Sequence, residues 1–342
     1  MPGHDEAESF WGIAMKRMNL VLLSILGIVF GTAAATAQDK YPSKPIRVLV
    51  PFSAGSATDI TIRIVGEQMR QLTGQGFLVE NKPGAGGALA IEEMVRAPHD
   101  GYTLQVGNAG TNALSPIIYK SRYKFDYDKE VIMVTRLGVI PLILAATVVD
   151  FAPKTYAEFL AYAKANPGKV RYASVGTGSN NHYETEAYAQ WAGIKLQHIP
   201  NKGGGGAITN DVLRGDVHVV LVNAASSAGL AQSGKIKVLA VMANERLPDY
   251  PDAPTLKELG YTAGQGLWSA LYAPANTPRG VLETLHRMTV QALNSEPVQN
   301  TFKKQMIKAA PNASIADAQA WDKLETTHWR KLTEQVKIER PE

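Results

Sequence analysis

Short apolar runs alternate along this chain with longer stretches in which apolar positions recur every three or four residues. Runs bounded by turn residues predict buried strands, and the helical spacing predicts amphipathic helices between them. From residue 41 onward the pattern predicts a strand at Ile46–Pro51, a helix at Ile60–Leu72 and a strand at Phe77–Glu80. The turn Asn81–Gly87 leads into a helix ending at Arg96, then a strand at Thr103–Gly107 and a helix near Ala113–Tyr119. This β-α-β-α order predicts a mostly parallel sheet with helices on both faces. The apolar run Val139–Val149 reads as the exit from a first lobe and the entry to a second. There the pattern gives helix Tyr156–Ala165, strand Lys169–Ser174, helix His182–Trp191 and strand Leu196–Ile199. It continues with helix Gly206–Leu213, strands Val217–Val222 and Ile236–Met242, and a helix around Ser227–Ser233 between them. An apolar strand at Gly266–Tyr272 carries the chain back, and helices at Thr277–Leu293, Glu296–Met306 and Ile315–Ile338 finish it. The expected division is therefore 41–138 plus 268–342 as lobe 1 and 139–267 as lobe 2. Two crossings make a hinge able to close over a ligand.

Where strands end, the loops become distinctive. The run Ile46–Val50 empties into P-F-S-A-G-S-A-T-D, Pro51 to Asp59, and a helix follows with Thr58 or Asp59 as its cap. Far downstream, Val170–Ser174 runs into V-G-T-G-S-N-N-H, Val175 to His182, again ahead of a helix. Such strand–loop–helix junctions aim unpaired backbone N–H groups and a positive helix end at one point. Two of them suggest a cleft that holds a small anion. Neither loop contains Lys or Arg, so recognition would rest on backbone groups and neutral donors. Ser53, Ser56, Thr58, Asn108, Thr111, Ser179 and Asn180 supply such donors and suit a carboxylate. Asp59, in the first helical turn, reads chiefly as a structural tie for the loop's N–H groups. It is also able to orient a water or a ligand hydroxyl or ammonium.

Composition narrows the function class. The chain has 342 residues, 45% of them hydrophobic, enough for two α/β lobes. Net charge is +4 with both signs scattered, and no aromatic-rich basic surface pattern appears, which argues against nucleic acid. Met15-Lys16-Arg17, the apolar stretch Leu20–Phe30 and Ala35-Thr36-Ala37 have the three-part layout of a secretory signal peptide. Residues 1–37 are thus expected to be an extension and leader, with Met15 the functional start and Gln38 the first mature residue after secretion. There is no cysteine, so thiol catalysis and thiolate metal sites are out. Seven histidines are scattered without H-x-x-x-H or H-E-x-x-H spacing, so no metal or other cofactor is expected. His99 reads as a turn residue and His198 as a satisfied core histidine.

Other motifs are weighed and set aside. Gly84–Gly87 lacks the third glycine of a dinucleotide fingerprint and reads as a tight turn needing positive φ. Gly203–Gly206 lacks the Lys-Ser/Thr of a phosphate loop; it is either a close backbone approach to the cleft or a flexible helix entry. Ser179 and His182 raise the alternative of a secreted serine hydrolase. The G-x-S-x-G elbow is absent, and Ser179 suits a helix N-cap.

With these motifs in view, the chain resembles the extracytoplasmic solute receptors of the tripartite tricarboxylate transporter family, the Bug proteins. The resemblance runs through Y-P-S-K-P-I-R-V-L-V-P-F (Tyr41 to Phe52), A-G-S-A-T-D (Ala54 to Asp59) and V-E-N-K-P-G-A-G-G (Val79 to Gly87). It continues through D-G-Y-T-L (Asp100 to Leu104), P-G-K-V-R-Y-A-S-V-G-T-G-S-N-N-H (Pro167 to His182) and G-K-I-K-V-L-A-V (Gly234 to Val241). D-A-P-T-L-K-E-L-G-Y (Asp252 to Tyr261) and W-S-A-L-Y-A-P-A-N-T-P (Trp268 to Pro278) complete it. The resemblance implies a two-lobe α/β periplasmic-binding-protein (Venus-flytrap) fold and no catalysis. It implies an organic acid held by backbone groups and ordered waters. Carried over by position, the contacts fall on Phe52, Ser53, Ala54, Gly55, Ser56, Thr58 and Asp59, and on Ser174, Gly176, Gly178, Ser179, Asn180 and His182. Asn108, Thr111 and Asn223 are expected to add smaller contributions. A membrane transporter of that type, or a sensor, would be the partner of a monomeric receptor. Three departures bear on the ligand: Ser53 and Ser56 interrupt the family's P-F-P-A-G-G. Asn201 replaces a tyrosine before Lys202, and Val222-Asn223 replaces Asp-Asn. They make a cationic distal group on the ligand less favoured.

Overall fold

Each sheet in this computed structural model is built around a parallel trio of strands. The structure describes residues 41–201, 204–262, 266–336 and 338. The leader, its cleavage point after Ala37, and Lys202 with Gly203 lie outside the described residues. All contacts below belong to the compact unit that begins at Lys44.

In the first lobe β1 (Ile46–Val50) pairs in parallel with β2 (Phe77–Asn81) and β3 (Thr103–Asn108). Helix α1 (Ala57–Thr73) joins β1 to β2, and α2 (Ala88–Arg96) joins β2 to β3. Along α1 the buried positions Thr58, Thr61, Ile62, Val65 and Met69 recur at helical spacing. Gly74 ends the helix in a left-handed cap, φ 73°, with its N–H on Arg70 O at 2.9 Å. After β3 the chain forms a wide π-helical turn, Ala109–Leu114, which tightens into the short helix Ser115–Ile118. The expected helix at Ala113–Tyr119 thus begins four residues earlier, at Ala109, and in a wider winding.

The second sheet repeats the plan. Strand β6 (Val170–Ser174) pairs in parallel with β7 (Leu196–Pro200) and β8 (Val219–Asn223). Helix α4 (Asn180–Ala192) links β6 to β7, and α5 (Gly204–Arg214) links β7 to β8. Helix α3 (Tyr156–Ala165) precedes them, and α6 (Ala224–Gln232) leads to β9 (Ile236–Met242).

Both sheets are mixed rather than mostly parallel. With β4 at Val131–Ile140, β5 at Leu142–Thr147, β10 at Leu267–Pro274 and β11 at Lys308–Ala309, the orders are β11-β4-β10-β3-β1-β2 and β7-β6-β8-β5-β9. Strands β4 and β10 run antiparallel to each other, and β10 runs antiparallel to β3. Strand β5 lies antiparallel between β8 and β9. These strands carry the chain between sheets without a helical crossover, so nothing imposes parallel pairing on them. The apolar run Val139–Val149 is divided at Pro141: its start ends β4 in one sheet, and β5 in the other takes up most of the rest. Gly266 (φ 98°) begins the return, and a Cβ there would lie 2.7 Å from Ile140 O. The two crossings touch at that point, which demands glycine.

The tail returns to the first lobe as α7 (Arg279–Leu293), α8 (Glu296–Lys304), β11 (Lys308–Ala309) and α9 (Ile315–Gln335). The apolar core of that lobe gathers Leu49, Ile91, Met94, Trp268, Tyr272 and Trp329. Tyr183 and Ala187 of α4 join the same cluster, while Tyr188 and Ala189 pack into the second lobe's core. Helix α4 therefore lies between the lobes and is buried on both sides. Among the described residues no helix is long and apolar enough to cross a membrane.

Candidate functional site

The loop after β1 is held by a carboxylate turned inward. Asp59, 2% exposed, accepts the Gly55 N–H on Oδ2 at 2.9 Å and the Asn81 amide on Oδ1 at 2.9 Å. Arg63 Nε lies 3.0 Å from both oxygens, and its Nη2 donates to Asn81 Oδ1 at 3.0 Å. Asn81 Nδ2 also reaches Phe52 O at 3.0 Å. Burial pushes the Asp59 carboxyl up; the Arg63, Gly55 and Asn81 bonds together outweigh it and hold it below the usual carboxylate range. Its oxygens are thus committed to the loop, as the structural reading of Asp59 expects. The helix cap differs from expectation. Ser56, in extended backbone, caps α1 by accepting the Asp59 N–H at 3.3 Å, and Thr58 already lies within the helix. Phe52 and Ser56 are half-buried, whereas Ser53, Ala54 and Gly55 are exposed.

Beside this loop stands the end of β3. Asn108 Oδ1 accepts from the Gly110 and Thr111 N–H groups at 2.9 and 3.3 Å, and Thr111 Oγ1 accepts the Asn108 N–H at 3.1 Å. This reciprocal capping box shapes the π-turn. Thr111 Oγ1 also donates to Asn112 Oδ1 at 2.7 Å. The amides of Asn112 and Gln105 form a paired bond beneath it, over Gly107. Asn108 Nδ2 touches Thr58 Oγ1 at 3.4 Å, which joins the β1 and β3 loops. Asn108 and Thr111 therefore spend most of their polar atoms on the turn itself.

The second loop is folded around two histidines. His182 and His198 stack with ring centroids 3.6 Å apart and planes 19° apart. Ser174, fully buried, bonds His198 Nε2 through Oγ at 2.6 Å. The Gly178 N–H donates to His182 Nδ1 at 3.1 Å, which assigns the ring proton to Nε2. Burial, with a smaller repulsion from His198, pushes His182 down to about 4, and burial also lowers His198. Gly176, at φ 131°, accepts the Ser179 hydroxyl on its carbonyl at 2.6 Å. Ser179 occupies the N-cap position of α4, yet its Oγ reaches Gly176 O and Asn181 Oδ1, not a helix N–H. His182 Nδ1 is occupied by a backbone N–H, so Ser179 and His182 form no nucleophile–base pair.

Adjacent contacts bring the two loops together. Thr58 touches Asn108; two residues on, Gly110 faces Asn180, whose Oδ1 would lie 3.3 Å from a Cβ at Gly110. Gly178 abuts the Tyr119 hydroxyl and Ile118 in the same way, at 3.1 and 3.6 Å. The starts of α1 and α4, each with first-turn amides that lack intrahelical acceptors, are thus separated only by the Asn108–Gly110 segment. Asn223, half-buried, ends β8 opposite Leu142. The sequence reading missed Asn81, Arg63 and Asn181 as loop-setting residues. Asn81 stands in the V-E-N-K-P-G-A-G-G motif, which was the available signal. A separate cavity of about 700 Å³ lies between the segment after the π-turn and α9, lined by Tyr123, Phe125, Tyr127 and Arg330. Asn112 is its link to the loops. Among the described residues no group of three His, Asp or Glu side chains is arranged to hold a metal.

A family model described as tripartite tricarboxylate transporter family receptor matches residues 61–337. BugT of Bordetella pertussis is 31% identical over 84% of this chain and 89% of its own. Among solved structures, R. palustris Rpa4515 with adipate superposes with a TM-score of 0.78 at 25% identity, covering 87% of this chain and 99% of that one. MatC (Rpa3494) of Rhodopseudomonas palustris with bound malate gives 0.73 at 27% identity, covering 85% and 99%.

Proposed function

The chain belongs to the tripartite tricarboxylate transporter receptor family, a family of periplasmic solute receptors rather than hydrolases, and from that premise we propose that it captures a small organic acid between the starts of α1 and α4. The observation that carries this reading is the run of contacts Thr58–Asn108 and Gly110–Asn180, which brings two helix N-termini to one place. A carboxylate there would receive the first-turn backbone N–H groups of α1 and α4 that the loops do not themselves use, with the Ser53, Ser56 and Asn180 side chains as neutral donors. Asp59, Asn108, Thr111, Ser174, Gly176 and His182 act by holding the loops in shape. Asn223 would reach the ligand from the end of β8. Adipate in Rpa4515 and malate in MatC support an acid as the ligand class. Lobes 41–138 plus 268–342 and 139–267 would close over it, in the periplasm, after removal of residues 1–37. A tripartite-type membrane transporter or a sensor would receive the loaded monomer.

The test is thermal unfolding of Gln38–Glu342, refolded free of solute, against aliphatic dicarboxylates, citrate-like acids, acidic amino acids and aromatic acids. Ligand at about a thousand times Kd adds about 4 kcal/mol of apparent stability. A selective rise in Tm with one acid is expected. A flat response across the panel would sink the acid reading.

A further inference from the structure

Helix α4 carries a carboxyl group into the seam between the lobes. Glu184 is 8% exposed, and its Oε2 has no hydrogen-bond partner. Helix α9 packs against α4, and its Glu325 is near enough for its charge to act on Glu184; Glu325 Oε1 accepts the indole N–H groups of Trp268 and Trp329 at 2.8 and 2.9 Å. No cation bonds either carboxyl among the described residues. Arg136 of β4, stacked over Trp321 of α9 at 4.4 Å, is a cation close enough to interact with the Glu325 charge. On α9, Asp322 takes the Tyr272 hydroxyl of β10 at 3.2 Å, and the His328 ring stands edge-on to Trp329. Ahead of β10, Tyr261 lies close enough for Glu184 to raise its pKa, and it packs against Tyr188 of α4. Tyr188 in turn bonds Tyr156. The two glutamates belong to helices of different lobes, and Trp268 stands just after the second crossing.

We propose that the α4–α9 seam is a proton-held joint, in which Glu184 sits as a neutral acid and its ionisation loosens the contact between the lobes. The joint concerns lobe contact alone and is independent of which solute the cleft holds. Burial, with the Glu325 charge adding to it, pushes Glu184 up to about 8. Burial likewise lifts Asp322 to about 7. When the seam is intact, an ionised Glu184 would be buried beside a second carboxyl with no hydrogen-bond donor on its Oε2. When the seam opens, water solvates both, so a rise in pH favours opening.

Hydrogen exchange of the solute-free receptor tests this, read in peptides of α4 and α9 at pH 6 and pH 9 after correction for intrinsic rates. Wild type is expected to lose at least tenfold protection at pH 9 relative to E184Q, and to match it at pH 6. Equal protection of the two proteins at pH 9 overturns the joint. E325Q leaves Glu184 in place and removes the facing charge. In it the loss should be smaller and complete at a lower pH. A loss unchanged in E325Q would also overturn the proposal, and this comparison decides the matter even where E184Q folds poorly.

Discussion

Asn81 shows how a side chain outside the cleft can set it. One amide joins three loop elements: it donates to Phe52 O and to Asp59, and it accepts from Arg63. Replacing it with leucine keeps the volume and leaves the Asp59 carboxylate and the Phe52 carbonyl short of a donor. The cost of such orphaned polar groups is about 1–3 kcal/mol. Asn81→Leu should therefore lower the urea midpoint by that order. It should also weaken acid binding by more than tenfold in calorimetry, because the loop that presents the N–H groups loses its tie. Unchanged affinity would show that Asp59 and Arg63 hold the loop alone. Gly87 is constrained for a different reason. At φ 95° a Cβ there would come within 2.6 Å of Thr111 Cγ2, so glycine is required for the β2 turn to lie against the π-turn.

Helix α4 concentrates the chemistry that the hydrophobic pattern could not reveal. Its sequence, N-N-H-Y-E-T-E-A-Y-A-Q-W-A, has no apolar stripe, because both faces are buried against different partners. Strand–loop–helix order and the Gly-bearing loops were legible, since each rests on local periodicity and turn chemistry. Antiparallel β4 and β10, the short β11 and the Asn81 tie to the β1 loop were not, because only contacts distant in sequence decide them. Two groups on this helix titrate with opposite consequences. His182 has its folded pKa depressed to about 4 from an ordinary value of about 6.5. As pH falls from about 6.5 towards 4, the unfolded chain binds a proton that the native imidazole refuses, so stability declines. Glu184 has its folded value raised to about 8. Its contribution is full below about 4.3, the ordinary glutamate value, and is lost as pH rises towards 8. Subtracting variant from wild-type urea midpoints across pH 4 to 9 separates the two. His182→Gln should flatten the acid limb and Glu184→Gln the alkaline one. Failure of either limb to flatten would reject that residue as its source.

At the scale of the whole molecule, the two passages between sheets meet where Gly266 lies under Ile140. If the lobes close over a solute as proposed, the change would fall at Pro141 and Gly266, where the chain leaves one paired sheet for the other. A methyl group at residue 266 would stand 2.7 Å from the Ile140 carbonyl oxygen, on a backbone at φ 98° that side chains rarely adopt. Gly266→Ala must therefore displace one passage relative to the other, at a cost of about 1–3 kcal/mol. The binding loops are remote from this contact in sequence and keep their own hydrogen bonds, so their local structure should persist. The expected result is a protein that still folds, with a lower Tm, and whose radius of gyration by solution scattering differs from wild type in the solute-free state. Addition of a bound acid should compact wild type more than Gly266→Ala. Identical scattering of the two proteins, free and loaded, would place the hinge elsewhere in the chain.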